Sequence, residues 1–224
     1  MISVSDALTQ ASLRLQACGI ETPRLDAEVL LAHILNRPRL DMLIWRDQML
    51  STAQVEAFEK VLCQREARKP VSQILGLKEF WSLDFEVSSD VLTPRPDSET
   101  LVFEALKYLP SDEPVQVLDL GVGSGCLVIS ILNERPFAKA VGVDMSSAAL
   151  HIASKNKARH KMEARLELAL GDLFSPLSND QQFDLIVSNP PYIESAEIPG
   201  LPPEVVQFEP LQALDGGEDG LEFY

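Results

Sequence analysis

A chain of 224 residues with 46% hydrophobic side chains can hold one large domain, or a medium domain beside a small one. Its formal net charge of −15 argues against a protein that grips bare nucleic acid through its phosphates, which demands a dense Lys/Arg surface. No apolar run approaches the ~20 residues of a membrane span, and residues 1–6 lack the basic start and apolar stretch of a signal peptide, so a cytoplasmic setting without membrane contact is expected.

The first 75 residues read as a small helical bundle. Ser5 is a candidate cap for a helix carrying Ala7, Leu8, Ala11, Leu13 and Leu15 and ending near Gly19. Thr22-Pro23 opens a second helix, with Leu25, Val29, Leu30 and Ile34 as its apolar face and Pro38 as its end. A short segment over residues 40–45 follows, then Ser51-x-x-Gln54 resembles a capping box ahead of Val55, Phe58, Val61 and Leu62. Arg37, Arg39, Arg46, Arg65 and Arg68 suit either an acidic partner or a solvated helix surface.

Residues 76–92 read as a hairpin linker, because residues 78–81 and 83–87 alternate polar with apolar side chains. The proline-rich stretch at residues 93–99 then fixes a loop, with Asp97 as cap of a helix through Leu101, Val102, Ala105 and Leu106. Arg95 in that loop suits either a carboxylate of a bound cofactor or a brace within the loop.

From Val115 the texture becomes strand, turn, helix, repeated. Strands at residues 115–120, 140–144, 166–170 and 183–187 alternate with helices near residues 126–134 and 146–159, which implies right-handed crossovers and a parallel Rossmann-like α/β sheet over residues 93–224. Ligands of such sheets sit at the C-terminal strand ends. Residues 198–217 read as an acidic loop. Cys18, Cys63 and Cys126 are odd in number and form no C-x-x-C pair, so reduced, mostly buried thiols are expected, and the scattered His33, His151 and His160 give no reason to expect a metal.

The strand ends carry the chemistry. Gly121-Val122-Gly123-Ser124-Gly125 lets the backbone approach a ligand, and the helix start behind it favours a negative group such as a methionine-type carboxylate. Its spacing differs from the G-x-G-x-x-G of pyrophosphate sites. Asp144 stands about 20 positions on, where the fingerprint expects a ribose-binding carboxylate. Asp172-Leu173 is placed for an adenine ring, although Asp172 alone equally suits a turn cap. Asn189-Pro190-Pro191-Tyr192 follows the fourth strand as a rigid acceptor for a planar group; standing alone, it equally suits a strand terminator.

Together these strand ends resemble S-adenosylmethionine-dependent methyltransferases. With Pro94-Arg95-Pro96-Asp97-Ser98-Glu99, Asp119-Leu120 before the glycines, Ile193 after Tyr192 and the helical front region, the chain resembles the peptide chain release factor glutamine methyltransferases (PrmC/HemK) along essentially its whole length. That resemblance implies transfer of a methyl group from S-adenosyl-L-methionine to the side-chain nitrogen of the Gly-Gly-Gln glutamine in release factors. It implies a cofactor site from Asp119, Gly121, Val122, Gly123, Ser124, Gly125, Asp144, Asp172, Leu173 and Asn189. The glutamine would meet Asn189, Pro190, Pro191 and Tyr192, with Asn189 Oδ1 and the Pro190 carbonyl accepting its two N–H groups and Tyr192 packing on the amide. The helical region would recognise the release factor.

The alternatives from the same residues are an adenine amino-group methyltransferase acting on nucleic acid, and a cofactor-binding module without turnover. Two departures from the family bear on this. Leu173 stands where many relatives have an aromatic residue, and the chain stops at Tyr224 where relatives continue, so a sheet incomplete at its C-terminal side, with an uncovered fourth strand, is expected.

Overall fold

The computed structural model describes residues 2–224 in two compact units, divided between Leu75 and Gly76. The first is all helical: α1 (Val4–Ala17), α2 (Pro23–Leu35), α3 (Asp41–Ile44), α4 (Thr52–Glu66) and α5 (Val71–Leu75). Leu8, Leu15, Leu30, Leu31, Met42, Phe58 and Leu62 form its core. The cap of α1 is Ser3 rather than Ser5: its hydroxyl accepts from the Asp6 amide, and the chain around it is fixed by pairing with residues 48–49. The α4 capping box forms as expected, with Ser51 Oγ accepting from the Gln54 amide and Gln54 Oε1 from the Ser51 amide.

Further expectations are corrected. Leu25 is exposed and Ala27, Leu30 and Leu31 carry the buried face of α2, which ends at Asn36 in the left-handed conformation (φ 49°) before Pro38 is reached. Several arginines are internal braces rather than free cations. Arg65 is buried against Asp26 (2.7 Å), Arg39 reaches Glu28 (3.1 Å), and Arg68 donates to the carbonyls of Cys18 and Gly19. Cys18 and Cys63 are exposed and Cys126 is half-buried, so the thiols are not mostly buried.

The second unit opens with an antiparallel hairpin, β1 (Leu77–Phe80) and β2 (Leu83–Glu86), turned at Trp81 and Ser82, both with positive φ. Phe80 and Phe85 are fully buried in the same core as the main sheet, so the hairpin belongs to this unit's interior. A 3₁₀ turn at Pro96–Ser98 leads into α6 (Glu99–Tyr108). That turn displaces Asp97 from the cap, which falls to Ser98 without a side-chain bond.

The main sheet consists of β3 (Gln116–Leu120), β4 (Lys139–Asp144), β5 (Leu166–Leu170) and β6 (Leu185–Ser188), all parallel, in the order β5-β4-β3-β6. α7 (Cys126–Glu134) and α8 (Ser147–Arg159) make the crossovers. Strand alternation sends Val117 and Asp119 to one face of β3 and Leu118 and Leu120 to the other. β6 is an edge strand, with Ile186 49% exposed. Beyond it, residues 198–217 are more ordered than the expected loop: 3₁₀ turns at Ile198–Gly200 and Leu211–Ala213 flank α9 (Pro203–Phe208). No helix among the described residues is long and apolar enough to cross a membrane.

Candidate active site

The chain leaves β3 for β4 and β5 on one side and returns to β6 on the other, so a switch point lies between β3 and β6. The C-terminal ends of all the strands meet there. Ser188 Oγ donates to the Leu120 carbonyl (2.8 Å) and ties the end of β6 to the end of β3.

The turn after β3 works because three of its residues are glycine. Gly121, Gly123 and Gly125 have φ of 74°, 53° and 81°, a region that side-chain-bearing residues rarely enter. The amides of Gly121 and Val122 both donate to the Val143 carbonyl, and the Gly123 amide donates to Asp144 Oδ2 (2.9 Å), so β4 clamps the turn. A Cβ on Gly121 would meet no atom within 4 Å, which leaves an open cradle in front of the turn. Gly125 differs: a Cβ there would press on Ile129 Cδ1 at 3.0 Å, so its bareness serves the packing of α7.

A single pocket joins the candidate residues: it is lined by Gly121, Val122, Gly123, Ser124, Asp144, Asp172, Leu173, Asn189, Pro190 and Pro191. Asp119, Gly125 and Tyr192 stand outside that lining. Asp144 is already engaged on both oxygens, Oδ2 by Gly123 and Oδ1 by the Ser146 amide (2.9 Å), and each oxygen keeps a lone pair for a ligand. Leu173, at φ 44°, is 37% exposed at the pocket. Asn189 and the two prolines are half-buried, and the Asn189 side-chain amide has no hydrogen-bond partner among the described residues.

Asp119 lies on the face of β3 turned toward α7, 1% exposed, and among the described residues no side-chain donor reaches either of its oxygens. Burial pushes its carboxyl up to about 7; the Val128 amide in the first turn of α7 pulls the other way, and the Asp144 carboxylate adds to the rise. Burial likewise pushes the neighbouring Cys126 thiol up to about 12, so this thiol is no nucleophile.

Tyr192 is 61% exposed beside the pocket. The backbone after it is held firmly, because Ile193 donates to the Leu214 carbonyl and accepts from the Gly216 amide. Gly216 and Gly220 allow this approach, since a Cβ on them would lie 2.8 Å from Tyr192 Cα and 2.6 Å from its carbonyl oxygen. Segment 210–213 contributes Pro210, Gln212 and Ala213 to the pocket, and Met145, 58% exposed, sits in its wall directly after Asp144. Met145 carries a signal in the sequence, an apolar residue directly after the acidic strand end, and Glu209-Pro210 and Ala213-Leu214 belong to a stretch that resembles the family's segment after the acceptor loop, although nothing in it points to a pocket wall. Arg95 binds Glu209 through Nη2, at 2.8 and 2.7 Å to its two oxygens, which decides for the brace over a ligand carboxylate.

Comparison with known proteins now fixes the lineage. Residues 6–76 match the PrmC N-terminal domain and residues 95–201 the methyltransferase small domain. A release factor glutamine methyltransferase of Geobacter sulfurreducens is 45% identical over 92% of this chain and 71% of its own length. One of Caulobacter vibrioides is 42% identical over 100% of the chain and 77% of its own length. The chain belongs to the release factor glutamine methyltransferase family. It spans 66% of the Rhodospirillum rubrum member, at 42% identity. Among solved structures, the hMettl16 catalytic domain in complex with the MAT2A 3′UTR hairpin 6 has a TM-score of 0.52 and 15% identity, covering 70% of this chain and 59% of that one. That likeness shows the α/β methyltransferase fold alone.

Proposed function

We propose that this protein binds S-adenosyl-L-methionine in the pocket at the switch point and methylates the side-chain amide nitrogen of the Gly-Gly-Gln glutamine of peptide chain release factors. The observation that carries it is that Asn189-Pro190-Pro191 opens into the same pocket as the glycine turn and Asp144, in a member of this family. The residues fit the cofactor. The bare Gly121 leaves room for the ligand to approach the backbone, Asp144 keeps acceptor capacity suited to a ribose diol, and Asp172 with Leu173 offers a carboxylate and an apolar side chain to an adenine.

When bound, S-adenosylmethionine supplies an electrophilic methyl group on a sulfonium, whose bond to sulfur breaks as the bond to nitrogen forms. The chain's task is orientation. An amide nitrogen is a poor nucleophile because its lone pair is delocalised. Asn189 Oδ1 and the Pro190 carbonyl would accept its two N–H groups, turn the nitrogen toward the methyl and stabilise the positive charge that develops there. The extra proton then leaves to water. Tyr192 would pack on the amide from the rim, and Pro191 would stiffen the loop.

Docking of the release factor is assigned to the helical unit, whose Leu40, Leu43 and Ile44 are 65%, 57% and 73% exposed. The release factor is thus the partner, met in the cytoplasm. The test is mass spectrometry of a purified release factor incubated with the protein and S-adenosylmethionine. One added methyl on the Gly-Gly-Gln peptide, and none on DNA or RNA, is expected. Cofactor binding without methylation of that peptide would instead establish a binding module.

A further inference from the structure

Arg95 comes from the proline-rich loop ahead of α6, and the transfer chemistry leaves it without a part. Its partner, Glu209, lies 114 residues away, with its side chain 1% exposed against 43% for that of Arg95. Burial raises the Glu209 carboxyl from its ordinary value, with Arg95 and then Thr93 pulling it back down. Removing the cation would leave this dehydrated carboxylate with its desolvation penalty uncompensated by charge.

The pair joins two walls of one pocket. Pro94 and Ser98 line it beside Arg95, and Pro210 and Gln212 line it beside Glu209. The second wall continues into Leu214, whose carbonyl accepts from Ile193, and Gly216, whose amide donates back to the Ile193 carbonyl. Ile193 directly follows Asn189-Pro190-Pro191-Tyr192. The acceptor loop is thus held from behind by a segment that the ion pair anchors.

We infer that Arg95 and Glu209 are positioning residues whose ion pair holds segment 209–216, and through it the acceptor loop 189–193, in register with the glycine turn. The consequence for methyl transfer rests on the function proposed above. The holding of the two segments does not.

Two measurements separate these. Hydrogen exchange on the uncomplexed protein should show faster exchange in both 90–98 and 209–216 for Arg95→Met and for Glu209→Gln, with Arg95→Lys close to the parent protein. Single-turnover transfer should slow about tenfold in each of the two variants while the S-adenosylmethionine dissociation constant stays within about threefold, and Arg95→Met/Glu209→Gln should be no slower than the slower single variant. Exchange unchanged in either segment would overturn the inference. So would single effects that multiply in the double variant, or a rate and affinity that fall in parallel, which marks general loosening. If Arg95→Met fails to fold, Glu209→Gln and Arg95→Lys carry the same comparison. A parent protein that transfers no methyl would sink the proposed function, and the exchange data alone would then decide whether the latch exists.

Discussion

The two units treat buried charge differently. In the helical unit the buried acids are paired: Asp26 takes Arg65 and the Thr22 hydroxyl, and Glu28 takes Arg24 and Arg39. In the α/β unit Asp119 is buried with no side-chain partner among the described residues, and Glu209, though paired with Arg95, is dehydrated enough for its carboxyl to rise. Both discordant acids lie beside the pocket. Paired burial of this kind organises an element, whereas unsatisfied burial is tolerated where a site needs it and is offset elsewhere in the fold.

The sharpest way to break that contrast is to remove a partner from the satisfied side. Arg65→Met leaves Asp26 buried with only Thr22 and should cost about 3–5 kcal/mol, because the lone carboxylate keeps its desolvation penalty. Hydrogen exchange localised by mass spectrometry should place that loss in residues 4–66, with the main sheet little changed. A loss below about 1 kcal/mol would show that the pair is not a structural brace.

On the pocket side, Asn189→Ala should slow methyl transfer by about 10²–10³-fold, the scale for one positioned polar group at a developing charge. Cofactor affinity should stay within a few fold, since Asn189 is assigned mainly to the glutamine. Titration calorimetry beside single-turnover rates separates the two; a collapse of cofactor binding would contradict that assignment.

Asp119 gives the next effect, and its sign is opposite to that of a paired acid. Its carboxyl sits at about 7 in the folded chain against 3.8 for an ordinary aspartate, so between these pH values the folded state binds more protons than the unfolded one. Stability from this group is complete below the lower value and is lost as pH rises through the higher one. Asp119→Asn should remove that fall and gain on the order of 4 kcal/mol at pH 8 relative to pH 4, read from denaturant unfolding at both. A paired acid would have given the reverse slope.

Much of this was legible in the sequence, for identifiable reasons. Period-2 and period-3.6 patterns announced the hairpin, the sheet strands and α4, because each of these elements buries one side of itself. The glycine turn, Asp144 and Asn189 were legible because strand order brings strand ends together whatever lies between them. Arg95 is legible as a residue with two possible uses and Glu209-Pro210 as part of a stretch resembling the family's, but their pairing is not, because only the folded path of segment 198–217 brings them together. Both Ser3 and Ser5 precede the apolar face of α1, and the pairing of residue 3 with residue 49, which fixes the chain at Ser3, has no local pattern. Asp97 lost the cap of α6 to a 3₁₀ turn that proline-rich sequences favour but do not specify.

The smallest effect tests whether the helical unit contributes only architecture at its caps. Ser51 Oγ accepts from the Gln54 amide at 3.3 Å and Gln54 Oε1 from the Ser51 amide at 2.9 Å, so Ser51→Ala removes one of two reciprocal bonds and should cost about 1 kcal/mol. That loss should appear as faster exchange in the first turn of α4. S-adenosylmethionine affinity should be unchanged, because no residue of α4 lines the pocket. The catalytic rate at saturating release factor should be unchanged as well. If the rate nevertheless fell while stability dropped by only the expected amount, α4 would be communicating with the acceptor loop, and the division between an architectural unit and a chemical one would have to be redrawn.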